Sequence, residues 1–183
     1  MELLSARLRL RSFEMRDVAG FVAYRSEPEV ARYQSWEAPY SEGQGVAFVR
    51  EMMGAEAGRV GEWYQLAIEL RETGELLGDC AFCVLAEDGQ QAEIGYTLAT
   101  RAQGYGYGRE AVSCLLDYLF VELGLHRVRA ICDVENEASV RLLTHLGWRR
   151  EGHMVENVWF KGSWGSEYLY ALLRREWLAL RAD

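Results

Sequence analysis

Apolar and polar residues alternate along this chain with a changing period, and the changes predict a series of strands and helices. An alternating stretch at about 3–11 predicts a first strand, in which every second residue is a leucine or another apolar residue. The row Arg7, Arg9 and Arg11 faces the other side of that strand, where we expect it to be solvated.

Helical spacing recurs in the three segments that follow, at about 14–25, 27–33 and 42–57. Ser26 and Ser41 each begin a capping-box sequence, so we expect them to cap the second and third of these helices.

The middle of the chain has the pattern of a three-stranded meander. Its strands are predicted at 62–70, 76–87 and 91–98, with hairpin signals between them. Later elements are predicted as a helix at 109–123, a strand at 126–134, a helix at 138–146 and strands at 149–160 and 167–173. Because strand, helix and strand follow one another across 92–134, the strands on either side of that helix should be parallel. The pattern therefore indicates an α/β protein with a mixed sheet.

A glycine-rich segment, Gln103-Gly104-Tyr105-Gly106-Tyr107-Gly108, joins the strand at 91–98 to the helix that follows; we call it the glycine loop. Alternating glycines leave the backbone unshielded, so successive N–H groups can point into one concavity at the positive end of the helix dipole. Such a concavity favours a diphosphate.

Competing interpretations of the glycine loop fit its sequence less well. A nucleotide P-loop requires a Lys-Ser/Thr pair after its last glycine, whereas Arg109-Glu110 follows here, and a kinase loop continues into a strand. A dinucleotide fingerprint requires a glycine where Arg109 stands, and the first carboxylate on the next strand, Asp133, is too far along the chain. A tight strand-to-helix turn explains one glycine but hardly three.

The glycine loop resembles motif A of the GNAT superfamily of acyl-CoA-dependent N-acyltransferases. The family pattern Gln/Arg-x-x-Gly-x-Gly/Ala is met by Gln103, Gly106 and Gly108, and the sequence at 92–98 is similar to the family's central strand. The resemblance implies the GNAT fold, which has a central mixed, mostly antiparallel sheet with a splayed parallel strand pair and flanking helices.

A second motif extends the resemblance over nearly the whole chain. The sequence at 136–143, followed by Leu146-Gly147-Trp148, resembles motif B of the same family. The Asn-x-x-Ser form of this motif, together with 7–11 and 168–177, is similar to the RimJ/RimL-type branch.

The resemblance implies acetyl-CoA as cosubstrate and no metal. Backbone amides from Gly104 to Arg109 would bind the CoA pyrophosphate. The exposed backbone of Leu98, Ala99 and Thr100 would pair with the pantetheine arm like an added strand. Asn136 would contact the arm and also suits a helix N-cap. The implied cofactor-binding residues are Leu98, Ala99, Thr100, Gln103, Gly104, Tyr105, Gly106, Tyr107, Gly108, Arg109, Asn136 and Ser139.

Acyl transfer to an amine requires a neutral amine, stabilisation of the oxyanion, and a proton or hydrogen bond for the departing thiolate. Alkylammonium groups have pKa values of about 10, so a base or a chain of waters must remove a proton near neutral pH. Glu93 is the first candidate for that base, and a purely structural carboxylate is the alternative. Asp133, Glu135 and Glu156 are further candidates.

Many GNAT members place a tyrosine in the motif B helix as the acid that protonates the thiolate. This chain has Leu143 at that position. Ser139 is the substitute that the resemblance to the RimJ/RimL-type branch implies, through a hydrogen bond from its hydroxyl to the CoA sulfur. A first-turn helix cap is the alternative role for Ser139.

Composition narrows the class of protein. The 183 residues, half of them hydrophobic and without repeats or linkers, are expected to form one domain over 1–183. A net charge of −8 disfavours nucleic acid and favours cationic partners. No signal peptide or membrane span is evident, so we expect a cytoplasmic protein. Cys80 and Cys83 would face opposite sides of a strand, which favours buried thiols over a metal or redox site.

The sequence therefore predicts an N-acetyltransferase that moves an acetyl group from acetyl-CoA to a primary amine, by direct transfer in a ternary complex. The acceptor, a protein N-terminus or a small-molecule amine, stays open. Aromatic segments at 33–40 and 159–164 could border the amine site or pack against a second subunit of a homodimer. A non-catalytic acyl-CoA-binding module and a nicotinamide-dependent oxidoreductase are the alternatives.

Overall fold

The computed structural model describes residues 1–181. Within this range eight strands form one sheet in the order β1-β2-β3-β4-β5-β6-β8-β7. The strands are β1 (Glu2–Leu4), β2 (Leu8–Arg11), β3 (Trp63–Leu70), β4 (Leu76–Val84), β5 (Gln91–Leu98), β6 (Arg127–Asp133), β7 (Arg149–Phe160) and β8 (Ser163–Leu173). The helices are α1 (Val18–Arg25), α2 (Pro28–Ala31), α3 (Glu42–Gly54), α4 (Tyr107–Asp117), α5 (Glu137–His145) and α6 (Arg174–Leu180). Neighbouring strands are antiparallel apart from β5 and β6, which confirms the mixed, mostly antiparallel sheet.

Different helices cover the two faces of the sheet. Helix α4 packs against β2, β4 and β5, over buried apolar residues such as Leu66, Phe82 and Ile94. Helices α1 and α3 pack against each other on the opposite face, where the Tyr24 hydroxyl of α1 bonds to Asp79 of β4. The apolar core is thus continuous on the α4 face, whereas the α1 face also contains buried polar groups.

The predicted N-terminal strand is wrong in one respect, because the chain turns back at Ser5 and β1 and β2 form a hairpin. The expected solvation of the arginine row is wrong for one of its members, since the Arg7 and Arg9 side chains are 47% and 38% exposed but Arg11 is buried. Arg11 is only 5% exposed and donates hydrogen bonds to Asp17 and Glu69. Period-two alternation shows which side chains share a face, but it does not show what covers that face.

Most of the other predicted elements are confirmed, including the meander, the helix after the glycine loop and the motif B helix. The capping box at Ser41 is confirmed, since Gln44 N donates to Ser41 Oγ at 3.3 Å and Ser41 N donates to Gln44 Oε1 at 2.9 Å. The one at Ser26 is wrong. Glu27 is the N-cap there, and the Ser26 hydroxyl donates to the Tyr40 carbonyl.

The parallel pair of β5 and β6 is short. Its residue pairs are Gln91 with Arg127, Ala92 with Val128 and Glu93 with Arg129. Beyond Glu93 and Arg129, β5 and β6 no longer pair with each other, although β5 continues to Leu98 and β6 to Asp133. A gap therefore opens between the two strands toward the glycine loop, which confirms the splayed pair.

The C-terminal part of the sheet is the long hairpin of β7 and β8, followed by α6, a helix that the sequence pattern did not predict. Trp177 of α6 is buried and its indole N–H donates to Asp117 of α4 at 2.9 Å. None of the helices in the part of the chain that the structure describes is long and apolar enough to cross a membrane.

Candidate active site

The glycine loop leaves β5 and enters α4 with Gly106 as the N-cap. Gly104 and Gly106 have φ angles of 84° and 81°, in the left-handed region that costs other residues about 1 kcal/mol or more. Gly108 has a different role, because a Cβ atom there would lie 2.9 Å from a methyl group of Leu142 in α5. Two glycines shape the loop and the third lets α4 approach α5.

The backbone N–H groups of the loop and of the first turn of α4 are free to bind a ligand. From Gly104 to Arg109, none of the six donates a hydrogen bond to an acceptor within residues 1–181. They lie at the positive end of the α4 dipole. Six free donors in one short stretch fit the oxygens of a diphosphate.

Arg7 and Glu110 attach the β1–β2 hairpin to this site. Glu110 accepts three hydrogen bonds of 2.7 Å each, from the Ser5 hydroxyl and from the backbone N–H and Nε of Arg7. Arg7 also donates from Nη1 to the Tyr105 carbonyl at 3.1 Å, and its guanidinium lies 4.5 Å from the centre of the Tyr107 ring. Sequence reasoning missed both residues, because no local pattern joins the hairpin to a loop about one hundred residues away.

The pKa of Glu110 is set more by its hydrogen bonds than by its partial burial. Burial alone raises the pKa of this carboxyl group, but the bonds from the Arg7 backbone, Ser5 and the Arg7 side chain lower it, and the net pKa is below the ordinary value. Glu110 is therefore a carboxylate at neutral pH, and it holds Arg7 beside the glycine loop.

The backbone of β5 is exposed along the gap. Ala99 N donates to Leu77 O and Leu85 N donates to Gln91 O, so the odd-numbered residues of β5 direct their backbone groups toward β4. By alternation, the backbone groups of Ile94, Tyr96 and Leu98 point toward the gap. These groups can pair with an extended ligand as an added strand would.

Of the three residues predicted to pair with the pantetheine arm, only Leu98 directs its N–H into the gap. The N–H of Ala99 bonds to β4, and the N–H of Thr100 donates to Glu27 Oε2 at 2.9 Å. The Leu98 carbonyl accepts from Gln103 Nε2 at 3.1 Å, so Gln103 braces the turn that leads into the loop.

Helix α5 begins at the open end of the gap. Asn136 is its N-cap, and Asn136 Oδ1 accepts from Ser139 N at 3.2 Å, as the capping alternative predicted. Ser139 is half-buried, and its hydroxyl makes no hydrogen bond to another group in the described part of the chain. The hydroxyl is therefore available to a ligand in the gap.

Tyr96 of β5 belongs to the same region. Its hydroxyl is buried and has no hydrogen-bond partner among the described residues. Burial raises the pKa of Tyr96 above its ordinary value, and the nearby Ser139 hydroxyl offsets this only in part. The hydroxyls of Tyr96 and Ser139 are thus close neighbours, at a geometry that falls short of a hydrogen bond.

Glu93, the first candidate for the base, lies at the closed end of the gap. Its Oε2 accepts from Arg129 Nε at 2.9 Å, across the last residue pair that joins β5 and β6. Its side chain is 22% exposed, so water can reach it. Five residues of strand, about 17 Å, separate Glu93 from Leu98 at the other end of the gap.

The reserve candidates for the base lie at the end of β6 and in β7. Asp133 Oδ1 accepts from Glu135 N at 2.7 Å, and Asp133 pairs in register with Glu167 of β8. Glu135 is exposed, and its carbonyl accepts from the Tyr33 hydroxyl. Glu156 lies at a bulge of β7 with a φ of 45°. The structure brings Asp133, Glu135 and Glu167 to one end of β6.

The two aromatic segments are joined by Lys161, at the tip of the β7–β8 hairpin. Its Nζ donates to the carbonyls of Ala31 at 2.9 Å and Trp36 at 2.7 Å. Trp159 and Trp164 contact each other edge to face beside that tip, and both are about 60% exposed. The hairpin tip and the α2 region therefore stand together above the end of β6.

Comparison with known proteins identifies the family. The family model described as an acetyltransferase (GNAT) domain matches residues 7–149. The chain belongs to the GNAT acetyltransferase family. An uncharacterized N-acetyltransferase p20 of Bacillus licheniformis is 34% identical over 177 residues, which cover 96% of this chain and 97% of that protein. This GNAT protein is accordingly an acetyltransferase, and the nicotinamide-dependent alternative is set aside.

Solved structures confirm the fold. A GNAT-family acetyltransferase from Bacillus anthracis has a TM-score of 0.86 and 31% identity, and the match covers 96% of this chain and all of that one. A spermidine N-acetyltransferase from Vibrio cholerae, solved with CoA and spermine, has a TM-score of 0.80 at 24% identity and covers 95% of this chain and 99% of that one.

The GNAT fold explains why the free amides and the gap lie together, since both are formed where β5 ends and α4 begins. The donors fit an acyl-CoA, because the loop offers N–H groups to a diphosphate and β5 offers backbone groups to an extended arm. Leu143 is fully buried in α5, so it leaves the usual position of the catalytic tyrosine apolar. In residues 1–181 no three His, Cys, Asp or Glu side chains are grouped closely enough to hold a metal ion.

Proposed function

We propose that this GNAT protein transfers the acetyl group of acetyl-CoA to a primary amine, by direct transfer within a ternary complex. The observation that carries the proposal is the row of six free N–H groups at the start of α4, adjoining the gap between β5 and β6. Diphosphate and acyl arm would then bind along one continuous path that ends beside Tyr96 and Ser139.

The protonation state of the cysteine thiols favours direct transfer. Cys132 of β6 is the cysteine on the strand that borders the gap, and burial raises its pKa to about 11. Burial also raises the pKa of Cys80 on β4. Thiols that stay protonated at neutral pH are poor nucleophiles, so an acyl-cysteine intermediate is disfavoured.

The acceptor would approach from the end of β6, because the cosubstrate fills the gap from the other side. Asp133, Glu135 and Glu167 gather there, and the chain carries a net charge of −8. A cationic amine is attracted by this field, whether it belongs to a polyamine or to a protein N-terminus followed by basic residues. The V. cholerae protein of the same fold was solved with spermine, so spermine belongs in the substrate panel.

Either Glu93 or Asp133 would take the proton from the amine through water. Glu93 is the candidate inside the gap, but it is paired with Arg129. Asp133 is nearer the proposed entrance, and among the described residues its side chain accepts only the backbone N–H of Glu135. The variants Glu93→Gln and Asp133→Asn separate the two assignments. The variant that lowers kcat at neutral pH and regains activity at higher pH identifies the base.

The proposal is tested by incubating the purified protein with acetyl-CoA and a panel of spermine, basic peptides, neutral peptides and amino acids. We expect amine-dependent release of CoA, one acetyl group added to the acceptor by mass spectrometry, and intersecting initial-velocity lines. Parallel lines would instead indicate a covalent acyl-enzyme. Saturable binding of acetyl-CoA without turnover of any amine would favour the non-catalytic binding module.

Four further assignments remain part of the proposal. The RimJ/RimL-type branch rests on the Asn136 and Ser139 positions at the start of α5. A single domain over 1–183, a homodimer and a cytoplasmic location rest on the sequence alone.

A further inference from the structure

The Tyr96 hydroxyl is a polar group whose burial the fold does not explain. It is one of three buried side-chain polar atoms without a hydrogen-bond partner within residues 1–181, and the other two are Arg25 Nε, in α1, and Trp148 Nε1, between α5 and β7. Burying a hydroxyl without a partner costs about 1–3 kcal/mol. A ligand that accepts a hydrogen bond from Tyr96 would remove that cost.

The location of Tyr96 indicates which ligand this is. Tyr96 follows Glu93, the last β5 residue that pairs with β6, so it lies where the two strands have separated. Its backbone groups point into the gap, and the groups around its hydroxyl include Ser139 of α5, Cys132 and Tyr170 on the far side of the gap, and Cys80 of β4. The hydroxyl is therefore surrounded by the elements that would enclose the reacting end of the acyl arm.

We propose that the Tyr96 hydroxyl donates a hydrogen bond to the sulfur of acetyl-CoA and stabilises the departing thiolate, in place of the tyrosine that motif B lacks. This inference rests on the proposed function. In the reaction the amine lone pair forms the new C–N bond at the carbonyl carbon, the C–S bond breaks, and its electron pair stays on sulfur. The amine proton goes to the base, and the thiolate takes a proton from solvent after release.

A hydrogen bond, rather than full transfer of the proton, follows from the environment of Tyr96. A buried phenol packed against the apolar core resists ionisation, so it stays protonated throughout the reaction. Ser139, at the start of α5, would share the sulfur with Tyr96 as a second donor. Leu143, which lies deeper in α5 and is fully buried, cannot donate at all.

Tyr96→Phe tests the proposal, because it removes only the hydroxyl. If the hydroxyl acts on sulfur, kcat should fall by about ten- to a hundredfold, as expected for a lost hydrogen bond to a charged group, while KM for the amine changes little. The urea midpoint of the ligand-free variant should stay the same or rise, because an unsatisfied buried hydroxyl has been removed.

Tyr64→Phe is the matched control. Tyr64 is a buried tyrosine of β3, but its hydroxyl is already paired with the Ser12 hydroxyl at 2.8 Å, far from the gap. We expect this variant to lower the urea midpoint and to leave kcat unchanged. If Tyr96→Phe behaved like Tyr64→Phe, Tyr96 would be a structural residue and the proposal would be wrong.

A binding measurement gives a readout that does not depend on turnover. The wild-type protein should bind CoA more tightly than desulfo-CoA, in which hydrogen replaces the thiol, and this preference should shrink severalfold in Tyr96→Phe. An unchanged preference would overturn the inference. If the wild-type protein bound neither ligand, or bound CoA but acetylated no amine, the proposed function would fail instead, so the two failures can be told apart.

Discussion

At the scale of single residues, the three glycines of the glycine loop look alike in sequence but differ in physical role. Gly104 and Gly106 adopt left-handed backbone angles, whereas Gly108 is buried under Leu142 of α5. The spacing of the glycines was enough to predict a diphosphate site. It was not enough to show that the third glycine is required for helix packing, because that depends on a residue more than thirty positions away.

Gly106→Asp is expected to weaken CoA binding by about tenfold or more, because it places a carboxylate beside the pyrophosphate site. The space itself is open enough for the side chain, since the nearest atom to an added Cβ is an Arg7 nitrogen at 3.5 Å. Asp tolerates the left-handed region better than most residues, so the fold should survive. Isothermal titration with CoA, together with a thermal melt of the ligand-free protein, measures both effects.

The matched control is Gly89→Asp, which adds the same charge at another left-handed position. Gly89 has a φ of 63° and no atoms within 4 Å of an added Cβ, and it precedes β5 at the end remote from the glycine loop. It should bind CoA as the wild-type protein does. Equal affinity in both variants would remove the glycine loop from the proposed site.

The residues that sequence reasoning found and those that it missed differ in one physical respect. Asn136, Ser139 and the glycines act through local backbone geometry, which a short motif encodes. Arg7 acts through contacts across the fold, and Tyr96 is notable only because its hydroxyl has no hydrogen-bond partner in the described part of the chain. A missing contact cannot be read from a sequence, because it depends on everything that surrounds the group.

At the scale of elements, the β1–β2 hairpin acts as a brace for the start of α4. Ser5 and Arg7 in its turn both bond to Glu110 in the first turns of the helix, and Arg7 also bonds to the Tyr105 carbonyl. The sequence pattern predicted the helix and the strands correctly but merged β1 and β2 into one strand. The alternation of apolar and polar residues continues through the tight turn between β1 and β2, and no glycine or proline marks that turn. The brace could therefore not be predicted from the sequence.

Arg7→Met is expected to weaken CoA binding by roughly three- to tenfold, because the glycine loop loses its hydrogen bond at Tyr105 and the contact over Tyr107. Methionine keeps most of the apolar stem, so packing is disturbed little. The loss should appear mainly as faster dissociation of CoA, which stopped-flow fluorescence measures through Tyr105 and Tyr107 or a labelled ligand.

Arg59→Met controls for the change in net charge. Arg59 is exposed, lies in the segment that leads into β3, and within residues 1–181 forms an ion pair only with Glu62, three residues later. This variant should leave the CoA dissociation rate unchanged. A similar change in both variants would indicate a general electrostatic effect on an anionic ligand, and the hairpin would not be a brace.

At the scale of the whole molecule, the sheet consists of two parts whose strands pair with each other only through the short parallel contact of β5 with β6. The part from β1 to β5 carries the N-terminal helices and a buried ion network, in which Arg11 bonds to Asp17 at 2.7 and 2.8 Å and to Glu69 at 2.8 Å. The other part, from β6 to β8, carries the hairpin above the proposed entrance. The order of elements predicted the parallel pair, whereas the gap between the two parts was implied by the resemblance to the GNAT family.

The buried ion network should matter for stability and not for the chemistry. Arg11→Met leaves Asp17, only 4% exposed, with a backbone N–H from Glu14 as its remaining partner, and breaking such a buried pair costs about 3–5 kcal/mol. Arg16→Met removes a contact to the same Glu69 oxygen, at 3.3 Å, but from a side chain that is 59% exposed, so it should cost at most about 1 kcal/mol. Urea unfolding of the two variants measures the difference, and CoA affinity of the folded protein should be unchanged in both.

If Arg11→Met does not fold, Arg11→Met/Asp17→Asn should recover part of the stability, because the uncompensated charge is removed. Equal urea midpoints for Arg11→Met and Arg16→Met would mean that burial does not strengthen this network, and the stability of the N-terminal part would then have to come from its apolar contacts alone.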